Sequence, residues 1–117
     1  MKLQDKEIKA LNEYKDNLIR LPFDQVQRIV LFGSKARGGT SADSDLDTLI
    51  VVKKKNNKEW KEMVGLTADI LLKYEDVLIS PTIMDEKECK EWSPLMEHIK
   101  REGIELWNRK KKKNLLG

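Results

Sequence analysis

The apolar run Val26–Phe32 stops at Gly33-Ser34, and ten residues later Asp45-Leu46-Asp47 opens a second run that continues to Val52. These two segments constrain the fold more than any other feature. Val26, Ile29, Val30, Leu31 and Phe32 in the first, and Leu46, Leu49, Ile50, Val51 and Val52 in the second, are β-branched or bulky. Each run becomes continuously apolar instead of alternating, which indicates strands buried on both faces. A central sheet covered on two sides follows, so the expected class is α/β.

Helical spacing supplies the covering layers. Ile8, Leu11, Leu18 and Ile19 mark a helix over Gln4–Arg20, which Leu21-Pro22 ends. Asn56 or Asn57 caps a second helix running to Tyr74, with Trp60, Met63, Val64, Ala68, Leu71 and Leu72 as its apolar positions. Asp76–Met84 reads as a third strand, and Pro81 within it implies an edge, a bulge or a bend. Asp85–Glu91 is a helical turn. Ser93-Pro94 caps a further helix that Gly103 ends, and Ile104–Trp107 adds a short last strand. The expectation is a single domain over residues 1–108, with a small mixed sheet of three to four strands flanked by helices, and a basic, disordered tail at 109–117.

Composition narrows the function classes. At 117 residues, with 39% apolar and 37% charged side chains, the chain suits one globular core under a charged surface. No apolar run approaches the ~20 residues of a membrane helix. Met1-Lys2 leads into no apolar leader segment, and Cys89 has no second cysteine to pair with, so the expected location is the cytoplasm. Net charge is +3, and Lys53–Lys55 with Arg109–Lys113 hold eight of the 23 basic residues. Such clustering at a strand end and a tail offers no general surface for nucleic acid.

The candidate site grows from the two strand ends. A strand ending in Gly-Ser before a helical turn at Lys35-Ala36-Arg37 presents unpaired backbone N–H groups to an anion. Gly33 lets a phosphate approach the backbone, and Ser34 adds a hydroxyl. Asp45 and Asp47, two apart on a strand, point to one face. Their mutual repulsion is relieved by a cation, and carboxylates with substrate phosphates are typical magnesium ligands. If the strands pair, the anion cradle and the carboxylates meet at one end of the sheet, with room for two ions that activate a nucleophile and stabilise leaving pyrophosphate.

Leu-Phe-Gly33-Ser34-Lys-Ala-Arg37-Gly38 followed by Ser-Ala-Asp43-Ser-Asp45-Leu-Asp47 resembles the signature of the DNA polymerase beta-like nucleotidyltransferase superfamily, and in particular its minimal nucleotidyltransferase branch. The matching stretch, Val30–Val52, is about a fifth of the chain. The resemblance implies that Gly33 and Ser34 hold the phosphates of a nucleoside triphosphate such as ATP, that Arg37 assists them, and that Asp45 and Asp47 bind Mg2+. Lys35 stands where arginine is also common, and Asp43 reads as a loop-ordering residue. It further implies a partner protein with a HEPN domain, for which this chain would act as the antitoxin.

Active members of the superfamily usually carry a third carboxylate on a later strand. Here the corresponding context is Ile79-Ser80-Pro81-Thr82-Ile83-Met84-Asp85-Glu86, which puts Ser80 at that position. Asp76 lies four residues earlier, on the same face by strand parity and about 13 Å away along a regular strand. Either Asp76 serves through a bulge or the third carboxylate is missing. Two functions therefore compete: magnesium-dependent transfer of a nucleoside monophosphate to a hydroxyl, and a weakly active or inactive module that binds nucleotide or partner. The chain is short for a free-standing small-molecule transferase, and no basic track suits a polymerase template. His98 and Cys89 read as structural, and Trp60, Trp92 and Trp107 as core or interface residues.

Overall fold

A computed structural model of the chain describes residues 3–22, 24–36 and 45–111. Among these, the order is α1 (Asp5–Arg20), β1 (Val26–Phe32), β2 (Leu46–Val52), α2 (Asn57–Lys73), β3 (Ile79–Asp85), α3 (Glu86–Lys90), α4 (Pro94–Glu102), β4 (Ile104–Asn108) and a 3-10 turn at Arg109–Lys111. The four strands form one mixed sheet in the order β3-β2-β1-β4. β1 is antiparallel to both β2 and β4, while β2 and β3 are parallel and joined through α2. The two continuously apolar runs are thus the inner strands, as their composition requires.

Side-chain alternation along the inner strands builds two cores. Ile29, Leu31, Leu46, Ile50 and Val52 face α1 and α2, where Ala10, Leu11, Tyr14, Leu18, Met63 and Ile70 complete the larger one. Val30, Phe32, Leu49 and Val51 face the other way, against Met96 and Ile99 of α4. Tyr14 links the first layer internally by donating its hydroxyl to the Met63 carbonyl at 3.0 Å. Burial pushes that phenol far above its ordinary range. Helix starts follow local chemistry. Asn56 accepts from the Glu59 amide, and Ser93 from the Met96 amide ahead of Pro94 at the first turn.

Four expectations shift. The third strand begins at Ile79, not Asp76; Asp76 takes a positive φ of 71° in the turn before it. Aspartate tolerates that left-handed conformation because its short side chain can bond locally. Pro81 does lie on an edge strand, as β3 ends the sheet. In α1 the buried stripe is Glu7, Ala10, Leu11, Tyr14 and Leu18, while Ile8 is exposed, so the helix is rotated from the expected face. In α2 only Met63 and Ile70 are buried, and Trp60, Leu71 and Leu72 face outward. Finally, ordered structure continues past residue 108. Arg109 donates to the Val26 carbonyl at 2.9 Å and stacks 5.0 Å from the Trp107 ring, which a flat guanidinium can do at once. The rest of the expected tail, 112–117, lies outside the described residues.

Candidate active site

Register brings the predicted residues together. Phe32 at the end of β1 pairs with Asp47 of β2, and Asp47 pairs with Ser80 of β3. Registered neighbours share a face, so Phe32, Asp47 and Ser80 form a row at one end of the sheet. That face is the one covered further along by α4. Asp47 is half-buried at its margin, and Asp45, just before β2, is exposed. Ser80 therefore occupies the place beside Asp47 that the sequence pattern assigns to a third carboxylate.

Gly33 closes the site. Its φ of +82° is one that side chains rarely adopt, and any Cβ there would collide with Asp47 Oδ2 and lie 3.3 Å from Asp47 Cγ. Only glycine lets the turn after β1 press its backbone against that carboxylate. Ser34 follows in the turn at 34–36. The two expected halves of the site are thus in direct contact through Gly33 and Asp47. Arg37 and Asp43, also singled out by sequence, lie outside the described residues.

Asp76 does not join this row. It sits in the turn before β3, its side chain is 91% exposed, and it pairs with Lys6 at 4.0 Å. Among the described residues no group of three or more His, Cys, Asp or Glu side chains could hold a metal ion. What remains is a pair of carboxylates with hydroxyl company. Thr48, on the opposite face, is fully buried and bonds the Leu46 carbonyl at 3.2 Å, which fixes the strand between the two aspartates.

Lys35, which stands where arginine is also common in the signature, points away from the turn. It turns inward, 4% exposed, and its Nζ lies 3.0 Å from Glu7 Oε2 of α1. The other Glu7 oxygen accepts the Gln4 amide at 2.9 Å, completing the α1 capping box. Nothing local in the sequence marks this pair, because a contact between residues 28 positions apart leaves no periodic trace.

Asp47 carries its charge at a cost where it sits. Asp47 has its pKa raised, first by desolvation and then by the Asp45 charge. A carboxyl whose folded pKa is raised holds its proton more tightly when folded. Its contribution to stability is present below the unfolded value of about 3.9 and is lost as pH rises through the folded pKa. In metal-free protein at neutral pH the ionised Asp47 is therefore a burden. Asp47→Asn should raise the metal-free Tm at pH 7, with the gain shrinking as pH falls through the carboxylate range, and magnesium should stabilise the wild type but not the variant. Thermal melts at several pH values with and without magnesium check this; an unchanged or lowered metal-free Tm would contradict it.

A glycine-serine turn laid against the Asp47 carboxylate, in a small mixed sheet between helices, is the arrangement expected of a nucleotidyltransferase domain. A family model, the nucleotidyltransferase domain, matches residues 8–115, so the chain belongs to that family and is a nucleotidyltransferase. A Methanocaldococcus jannaschii protein provisionally named a protein adenylyltransferase is 34% identical over 100 residues, covering 85% of this chain and 97% of its own. A second protein of that organism, with the same provisional name, is 33% identical over 81 residues, 69% of this chain and 76% of its own. Among solved structures, a provisional nucleotidyltransferase from Sulfolobus solfataricus shares the fold with a TM-score of 0.61 at 22% identity, over 91% of this chain and 84% of that one. A chain of a toxin–antitoxin structure with AMP-PNP shares it at 0.56 and 21% identity, over 88% and 77%. A chain from the complex of a tri-AMPylated Shewanella oneidensis HEPN toxin with its MNT antitoxin does so at 0.52 and 17% identity, over 94% and 78%.

Proposed function

We propose that this chain transfers an adenylyl group from ATP to a hydroxyl of a partner protein, in the manner of an antitoxin that modifies a HEPN toxin. The contact of the Gly33 backbone with the Asp47 carboxylate carries the reading, because it puts a phosphate-compatible turn and a cation-compatible pair in one place. The names of the relatives and the toxin–antitoxin neighbours support the choice of acceptor. No helix among the described residues is long and apolar enough to cross a membrane.

Asp45 and Asp47 would hold Mg2+, whose chemistry when bound is to offset charge on the triphosphate and on departing pyrophosphate. The chain's own part is positional. The turn at Gly33-Ser34 receives the phosphates, and Arg37 is assigned to assist them. The acceptor oxygen attacks the α-phosphorus, the bond to the bridging oxygen breaks, and pyrophosphate leaves. The acceptor proton passes to solvent, because Ser80 is a poor base and Asp76 stands away from the row. Turnover is accordingly slow. The test is label transfer from α-labelled ATP, with magnesium, to a helical partner encoded beside this chain; absence of transfer with every nucleotide and metal tried would overturn the reading.

The Ser80 position also supports a second reading, a binding module with little or no transfer. Ser80→Asp separates the two. If the site is a transferase lacking its base, the variant should transfer faster than wild type, by as much as the ~100-fold typical of a positioned base. Wild-type and variant rates both at background would favour the binding module.

A further inference from the structure

The first turn of α1 contacts both the turn after β1 and the segment that leads into β3. Glu7 holds Lys35 in the turn after Gly33-Ser34 through an ion pair whose side chains are 8% and 4% exposed. One residue earlier, Lys6 donates its ammonium to the Glu75 carbonyl at 2.8 Å, in the segment that leads into β3 and Ser80. Buried pairs of this kind add little net stability, since desolvation offsets their attraction. What they supply is a directional link that apolar packing lacks. Here the link runs from a capped helix terminus to the turn assigned to the phosphates.

We infer that Glu7 and Lys35 are positioning residues of the transfer site, bracing the Gly33–Ala36 turn on α1 so that it is preset for the triphosphate. This rests on the transfer reading above, and it gives Lys35 a different task from touching phosphate. The ammonium is already engaged by Glu7, and the side chain is enclosed.

Two measurements test it on the full chain. Hydrogen exchange at the amides of residues 33–36 in metal-free protein reads the brace itself. Titration with a fluorescent ATP analogue plus magnesium reads its consequence. The decisive variant is the double replacement Glu7→Leu with Lys35→Met, which leaves no unpaired buried charge and keeps the fold. We expect exchange at 33–36 to accelerate and Kd for magnesium–ATP to rise about tenfold, with Tm lowered only as far as the lost Glu7–Gln4 capping bond requires and Lys35→Arg close to wild type in both readings; tenfold corresponds to about 1.4 kcal/mol. Unchanged exchange at 33–36, or an unchanged Kd in a folded double variant whose exchange is faster, overturns the inference. If the wild type itself binds no magnesium–ATP, the transfer reading fails, and the exchange result still decides whether the pair braces the turn.

Discussion

Replacing Asp45 and Asp47 together with asparagine should cut nucleotidyl transfer about a thousandfold while leaving the fold intact. Asparagine keeps the shape and most hydrogen-bonding capacity of aspartate, so the loss isolates the charge. Cation stabilisation of developing phosphate charge is worth several kcal/mol, and each 1.36 kcal/mol is tenfold in rate. The structure argues against compensation, since among the described residues no third ligand completes a cluster with this pair. It also argues against collapse. Asp45 is exposed and Asp47 lies at the margin of the second core, whose apolar members Leu49 and Val51 are untouched. Label transfer from α-labelled ATP and the circular-dichroism spectrum check the two halves. Association with the partner should persist in the double variant. Activity within tenfold of wild type would remove the two carboxylates from the mechanism.

Gly33→Ala should be severely damaging for so small a change. Two costs coincide there. A left-handed backbone at a non-glycine residue costs of order 1–3 kcal/mol. The added methyl would also overlap Asp47 Oδ2, so either the turn lifts or the carboxylate moves. A displacement of about 1 Å at a reacting centre can cost on the order of 100-fold in rate. We therefore expect a lowered Tm together with transfer reduced at least that much. A designed contrast is Gly65→Ala in α2. No atom lies within 4 Å of a Cβ there, and alanine is favoured over glycine in an exposed helix by about 1 kcal/mol. The two substitutions should therefore have opposite effects on Tm. A Gly33→Ala protein with wild-type Tm and activity would show that the turn does not rest on Asp47.

Much of this site was legible because its determinants are local. The limits of β1, the glycine after it and the Ser93-Pro94 helix start each depend on a few adjacent residues. The placement of Ser80 was legible too, by counting back from the helix start at Asp85-Glu86. Five things were not, and each has a long-range cause. Glu7 and Lys35 look like ordinary surface charges until α1 meets the turn after β1. The buried stripe of α1 runs through Glu7 and Tyr14 and leaves Ile8 exposed, because the helix meets the sheet on that side. Asp76 fits strand parity, but β3 starts where the Leu46 amide meets the Leu78 carbonyl, and the turn before it takes Asp76 out of line. Arg109 reads as the start of a basic tail, yet Trp107 and the Val26 carbonyl hold it. In α2 apolar spacing overstated burial, because the helix covers the sheet with a narrower face than it carries.

The most direct test of a joint metal and triphosphate site is equilibrium binding of a non-hydrolysable ATP analogue to the full chain, with and without magnesium. Binding should require magnesium in the wild type and should be lost in the Asp45→Asn/Asp47→Asn protein and in Gly33→Ala. Binding that ignores magnesium, or that survives in the double asparagine variant, would contradict the account.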